Sequence, residues 1–213
     1  MTNNIEVFTQ SSIKITDGDN HIYIDPFNII EELHDADYIL ITHDHYDHFS
    51  PEDIKKVAYK NTVLVVPEKM KAKALKEIHF IDKIESISPN QNKKINDLYM
   101  ETIPAYNIIK PFHLKISGWV GYILEIGGKR IYIAGDTDKT KEAEAVHCDI
   151  AMVPIGGTYT MNAKKAAELI NIIQPEVAIP THYGSIVGNK NDGELFKENV
   201  KAPVKVELKL RFN

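Results

Sequence analysis

Seven consecutive residues constrain this chain more than any others: Thr42-His43-Asp44-His45-Tyr46-Asp47-His48. They follow directly on Tyr38-Ile39-Leu40-Ile41, a short run rich in aliphatic side chains that suits a buried strand. The motif therefore emerges at a strand end. In extended backbone alternate side chains share a face, so His43 and His45 point the same way. Asp47 and His48 fall in the turn beyond, where the backbone can aim them at a second point, a geometry that suits two adjacent metals rather than one. Imidazole favours Zn, Fe and Mn, and carboxylate adds hard-ligand character. A bare His-rich surface loop is the bland alternative, and the buried strand that delivers this one argues against it.

The chain has nine His and one Cys in 213 residues. It can close no disulfide on itself and build no Cys-rich zinc site, so any metal rests on imidazole and carboxylate. Cys148, between His147 and Asp149, reads as a small buried side chain. His21, His34, His79 and His147 have no argued partner and read as surface residues. A mass of 24.1 kDa implies a folded surface of roughly 10,000 Å², enough for one substantial core, so a single domain over residues 1–213 is expected. With 25 Lys+Arg against 30 Asp+Glu the net charge is −5, a poor footprint for nucleic acid. No apolar run approaches the ~20 residues of a bilayer span, and the N-terminus carries no basic and apolar leader. A cytoplasmic location is the expectation.

Strand-like runs recur throughout: residues 5–8, 12–15, 22–24, 38–41, 62–66, 84–88, 98–103, 120–126, 130–134, 150–153, 177–180 and 204–210. Asp17-Gly18-Asp19-Asn20 and Gly127-Gly128 read as hairpin turns. Helices are predicted over residues 51–58, with Ser50 as N-cap and Pro51 at the first helical position, and over 68–76, 163–173 and 192–199. Thr160 and Asn162 are cap candidates for the third of these, which stops near Pro175. Hairpins, then β-α-β, then hairpins, then β-α-β suit two layered sheets with helices outside.

Other strand ends supply the rest of a site. Asp136, in Gly135-Asp136-Thr137, follows the 130–134 run with small neighbours, a good position for a bridging carboxylate. His182, in Pro180-Thr181-His182-Tyr183-Gly184, follows the 177–180 run. Asp25 ends the 22–24 run before Pro26 and is a candidate to receive the outer N–H of a metal-bound imidazole. Tyr106, Phe112, Trp119, Tyr159 and Tyr183 are candidates to line a substrate groove, although aromatics are as often core. Lys110 and Lys115 flank His113 and are candidates to attract an anion, against the commoner reading of solvated surface lysines.

Taken together, His43-x-His45-x-Asp47-His48, Asp136 in Ala-Gly-Asp-Thr and His182 after a strand resemble the metallo-β-lactamase superfamily, over nearly the whole chain. Residues 154–161, Pro-Ile-Gly-Gly-Thr-Tyr-Thr-Met, look like its small metal-dependent hydrolase branch. That branch is similar to L-ascorbate-6-phosphate lactonases and, more distantly, to N-acylphosphatidylethanolamine-hydrolysing phospholipase D. The resemblance implies a four-layer αβ/βα sandwich, an α+β arrangement of two mixed β-sheets flanked by helices, with the metal site at the sheet edge. It implies two divalent ions, Zn or Mn/Fe: His43 and His45 on the first, Asp47, His48 and His182 on the second, Asp136 bridging. A third His usually completes the first site after a Pro-Ala-x or Ala-x pair. Here Pro104-Ala105-Tyr106 leads to Asn107, which leaves His113, Asn107 or neither for that role.

Two metals ~3.5–4 Å apart would generate a bridging hydroxide, with Asp47 to orient it and take or relay a proton. The leading expectation is a hydrolase of a small anionic ester, lactone or phosphodiester, with a small molecule as partner and homo-oligomerisation left open. A nuclease acting on RNA or DNA and a catalytically inactive metal-binding protein are the alternatives.

Overall fold

The computed structural model describes residues 2–212. Six strands form the first sheet in sequence order: β1 (Ile5–Val7), β2 (Ile13–Asp17), β3 (Asn20–Ile24), β4 (Ala36–Leu40), β5 (Ala58–Pro67) and β6 (Lys83–Ile87). β1 to β3 are antiparallel and β3 to β6 parallel, so the sheet is mixed. The parallel steps from β4 onward are made by α1 (Pro51–Val57) and α2 (Lys71–Glu77). α1 starts where its sequence says it should: the Ser50 hydroxyl accepts from Asp53 N–H at 3.3 Å, and Pro51 follows.

The second sheet repeats the plan: β7 (Asn92–Ile95), β8 (Leu98–Pro104), β9 (Val120–Ile126), β10 (Lys129–Ile133), β11 (Ile150–Pro154), β12 (Val177–Thr181) and β13 (Lys205–Val206). They run side by side in that order, antiparallel to β10 and parallel from there. α3 (Lys141–Glu144), α4 (Ala163–Ile173) and α5 (Asp192–Asn199) accompany the parallel half. Asn162, rather than Thr160, caps α4, and Gln174 ends it in left-handed backbone just before Pro175.

The period-two pattern divides the core. On β4, Tyr38 and Leu40 face the space between the sheets, where Ile22, Ile24, Val63 and Val65 join them. Ile39 and Ile41, with Tyr23, Leu64 and Val66, face the other way and pack under α1 and α2 against Ile54, Val57 and Ala74. Each buried aliphatic side chain contributes about 1.5–3 kcal/mol over exposure, so one residue of register slip on β4 would forfeit both faces at once. The accessible surface of 9488 Å² agrees with the size scaling. The two mixed sheets with helices outside are the α+β sandwich expected.

Three stretches differ from the sequence reading. β7 is polar, Asn-Lys-Lys-Ile, and is held by pairing with β8 rather than by an apolar face. α3 is one turn, capped by Thr140. The strand expected over residues 204–210 is only two residues long, because the chain then crosses between sheets: Glu207 N–H donates to Ala178 O at 3.0 Å, whereas Leu210 bridges Val7 on β1. Among the described residues no helix is long and apolar enough to cross a membrane.

Candidate metal centre

The carboxyl ends of β3, β4, β10 and β12 meet at one edge of the sandwich. Side chains just past such ends have no further strand neighbour and are free to converge, the usual position for a site in parallel sheets. Asp25, His43, Asp136 and His182 all arrive this way, and all are buried. The turn after β4 is closed by His48 N–H and Phe49 N–H donating to His45 O at 3.0 and 2.8 Å, and this brings Asp47 and His48 inward. Gly135 precedes Asp136 with φ +62; a Cβ there would lie 3.1 Å from both Thr42 Cβ and Val120 O, so the approach to Asp136 needs glycine. Gly156, after β11, has a comparable duty: a Cβ would collide with the His182 carbonyl and lie 2.5 Å from Val187 Cγ2.

Two groups of potential ligands result. Ring nitrogens of His43, His45 and His113 lie within 4.8 Å of one another, as do single ligand atoms of Asp47, His48 and His182. Asp136 stands between the groups. Its Oδ2 is 3.2 Å from His113 Nε2, 3.3 Å from His182 Nε2 and 3.9 Å from His43 Nε2, and its Oδ1 is 3.4 Å from His48 Nε2. Asp47 Oδ2 lies 3.3 Å from His182 Nε2 and 3.8 Å from His48 Nε2.

Asp25 works from behind. Its carboxylate accepts from Thr42 N–H at 2.8 Å and Thr42 Oγ1–H at 2.6 Å, and lies 2.7 Å from His48 Nδ1. Thr42 Oγ1 in turn sits 2.9 Å from His43 Nδ1. One buried carboxylate therefore orients His48 directly and His43 through a hydroxyl, turning the Nε2 atoms forward. Although Asp25, His43 and His48 also cluster within 4.8 Å, the nitrogens facing Asp25 are spent on these hydrogen bonds. Asp25, His113 and His182 hold left-handed backbone, with φ of 46, 58 and 57. Three non-glycine residues so placed mark a site where packing overrides local preference.

Of the two candidates left open for the third position of the first site, His113 stands in one group with His43 and His45, whereas the amide nitrogen of Asn107 is taken up by backbone carbonyls. Asn107 Nδ2 donates to Phe112 O at 3.0 Å and Tyr159 O at 2.6 Å, and lies 3.2 Å from His113 Nδ1, the nitrogen turned away from Asp136. Asn107 thus buttresses the loop that carries His113.

The electrostatics fit a cluster built to share positive charge. Burial opposes ionisation of Asp136, but the four surrounding histidines outweigh it and hold the carboxyl well below its usual range. Burial likewise opposes the charge on Asp47, yet His182 and His48 hold it at about 2. Burial disfavours a charged His48, but Asp136, Asp25 and Asp47 prevail and raise it to about 9. His43 goes the other way, lowered by burial and by the charge on His48. Burial raises Asp25, with His48 and Thr42 opposing.

The aromatic expectations need correction. Tyr183 does not line the groove: it is buried, packs edge-on against Phe212 at 5.5 Å and presses on Gly193 of α5. Tyr106 turns away, its hydroxyl donating to Glu142 at 2.9 Å beneath the Lys115 ammonium. Trp119 packs against the rings of His43, His45 and His113 at 4.9, 4.9 and 5.3 Å and braces them instead of lining the cleft. Tyr159 and Phe112 do line it, together with Tyr46 and Ile186, above His45, Asp47, Asp136 and His182, around about 270 Å³. Lys110 donates to Gly157 O and Thr160 O, and Lys115 pairs with Glu142 at 2.5 Å, so neither meets an anion in the cleft.

Gln10 escaped sequence reasoning. It sits in the β1–β2 connection, fully buried, and its backbone carbonyl accepts from His182 N–H at 2.8 Å while its side-chain Nε2 reaches Asp47 Oδ2 at 3.5 Å. No local signal marks it, since only the juxtaposition of the two sheets brings it to β12.

Fold and cluster together define a two-sheet metallohydrolase-type architecture with its ligands at the sheet edge. Residues 4–182 match the family model described as the beta-lactamase superfamily domain, and the chain belongs to that family, the metallo-β-lactamase superfamily. A protein of Nanoarchaeum equitans named as a metal-dependent hydrolase is 32% identical over 198 residues, covering 88% of this chain and 87% of its own. Another so named, from Pyrococcus abyssi, is 29% identical over 211 residues and 89% of each chain. A crystal structure from Parabacteroides distasonis, of a candidate metal-dependent hydrolase, superposes with a TM-score of 0.83 at 28% identity, over 97% of this chain and 93% of that one.

Proposed function

We propose that the chain is a single-domain, dinuclear metal-dependent hydrolase of small esters, lactones or phosphodiesters. The observation that carries this reading is a set of buried polar atoms without hydrogen-bond partners: Nε2 of His48, His113 and His182, and Oδ1 of Asp136. Each orphaned buried group costs on the order of 1–3 kcal/mol, and orphans this close together make sense as ligands. His43, His45 and His113 would hold one ion, Asp47, His48 and His182 the other, with Asp136 shared. The imidazole-rich donors suit Zn or Fe, and the carboxylates keep Mn within reach. Bound divalent ions supply a water-derived nucleophile near neutral pH and polarise the attacked group.

The chain's own residues do the rest. Asp47, ionised at neutral pH and steadied by Gln10 at Oδ2, would orient the attacking water with its other oxygen, take one proton from it and hand that proton to the leaving group as the scissile bond breaks. His182 adjoins both carboxylates and keeps them in place. The place of His113 beside His43 and His45 supports an active enzyme over an inactive metal-binding protein, and a cleft lining without Lys or Arg among the described residues favours a small molecule over RNA or DNA.

The test is metal analysis with anomalous scattering, combined with a panel of generic esters, lactones and phosphodiesters. Two ions per chain are expected, with turnover reduced about 10²–10⁴-fold in Asp47→Ala. Full turnover in that variant, or no metal at these residues, defeats the reading. Asp25→Ala leaves Thr42 N–H and His48 Nδ1 without their partner; the expected cost is on the order of 3 kcal/mol of stability. Metal affinity should drop about 10–100-fold, read by thermal melting and metal titration, and unchanged values would show that Asp25 orients nothing.

A further inference from the structure

Above its polar floor the cleft is walled by large apolar side chains left open to water: Tyr46 is 65% exposed, Phe112 45%, Ile186 42% and Tyr159 37%. They come from four separate loops, after β4, before β9, after β11 and after β12, yet meet around one opening. Phe112 and Tyr159 pack edge to face, with centroids 4.9 Å apart and an interplanar angle of 86°, so the wall is a defined surface. Apolar surface of this kind around a concavity normally marks a binding site. Among the described residues the lining includes no Lys or Arg, and the Lys110 ammonium is committed to two backbone carbonyls. A substrate with a second charge beyond the attacked group would find no partner here.

We infer that the cleft selects substrates whose group flanking the scissile bond is apolar and uncharged, a single aryl ring or short alkyl chain, with Phe112, Tyr159, Tyr46 and Ile186 as the specificity wall. This rests on the hydrolase reading and deepens it. The negative charge expected of the substrate is thereby confined to the attacked group itself, where metal charge meets it. The size follows from the cavity: an apolar cavity of about 150 Å³ already takes one benzene ring, and this one, at about 270 Å³, has room for one ring or a short chain beside the attacked group.

The probes are phosphonates, which are not hydrolysed and share one tetrahedral head: phenylphosphonate, 2-carboxyethylphosphonate and methylphosphonate. Binding to the metal-loaded protein is followed by calorimetry and by the emission of Trp119, the chain's single tryptophan. Phenylphosphonate is expected to bind at least tenfold tighter than 2-carboxyethylphosphonate, in line with the ~10–200-fold that an apolar pocket yields per small group. Phe112→Ala and Ile186→Ala should each remove most of that preference and leave methylphosphonate binding as it was. Metal content is measured in both; if Phe112→Ala, next to His113, loses metal, Ile186→Ala decides. Equal or reversed affinities for the aryl and carboxyethyl probes overturn the inference, as does a preference that survives Ile186→Ala. Absence of turnover on every ester, lactone and phosphodiester would instead overturn the hydrolase reading, and the phosphonate preference would still be measurable.

Discussion

Replacing Asp136 with alanine is expected to strip the protein of metal and of hydrolysis together. Its carboxylate faces the forward Nε2 atoms of both ligand groups. Its two oxygens lie 3.2–3.9 Å from Nε2 of His43, His48, His113 and His182, inside a pocket where its own side chain is only 3% exposed. Its charge there is maintained against burial by those same histidines. Without it, the proposed dinuclear site would lose the carboxylate that adjoins both ligand groups, and the positive charge gathered there would be left without that counter-charge. Turnover should fall by about 10³-fold or more, beyond what removing one preorganised polar group costs. Elemental analysis should find at most one weakly held ion. Asp136→Asn keeps the shape and loses the charge, so a similar loss there would trace the effect to charge. Wild-type metal content and rate in both variants would exclude a shared-ligand role.

Raising the pH should weaken the metal-free protein and strengthen its hold on metal. His48 carries the argument. Its folded pKa is about 9 against an ordinary 6.5, because Asp136, Asp25 and Asp47 outweigh burial. A raised folded pKa means that the charged form stabilises the fold. That contribution is complete below pH 6.5 and is lost as the pH passes through 9, and the shift corresponds to on the order of 3 kcal/mol. Metal binding needs His48 neutral, so below about pH 9 the ion held with Asp47 and His182 must displace that proton, and its apparent affinity should rise about tenfold per pH unit. His43, already lowered, releases none. Asp47 adds stability of the opposite kind, present above its ordinary value of 3.8 and lost as the pH falls through about 2. Urea midpoints at pH 6.5 and 9, with chelator and with metal, read both slopes. A chelated protein equally stable at the two pH values would remove the proposed His48 charge.

Most of the strands were legible because the inner and outer faces of each sheet alternate. Residues 38–41 read as a buried strand because two cores, between the sheets and beneath α1 and α2, both demand apolar side chains. Helix starts were legible where a cap is covalently near, as at Ser50 and Asn162. β7 was not, since a polar edge strand is held by its neighbour's backbone alone. The tail was over-read as one strand because its alternation is the same whether it pairs with β12 or crosses to β1.

For the site, the division is between what a single turn can assemble and what only two sheets can. The chain itself already marked His43, His45, Asp47 and His48 as one candidate ligand run, because their spacing and the strand before them act within seven residues. It also marked Asp25, Asp136 and His182, because each ends an apolar run and strand ends converge in layered folds. The choice of His113 over Asn107 was beyond it. That choice depends on a left-handed backbone and on carbonyls of Phe112 and Tyr159 capturing the Asn107 amide, and one of those lies fifty-two residues away in sequence. Gln10, the inward turn of Tyr183 and the apolar wall without a cation were equally out of reach, since each is a contact between segments far apart in the chain. Spacing dictates chemistry over one turn of backbone, and packing between sheets selects which distant side chains share it.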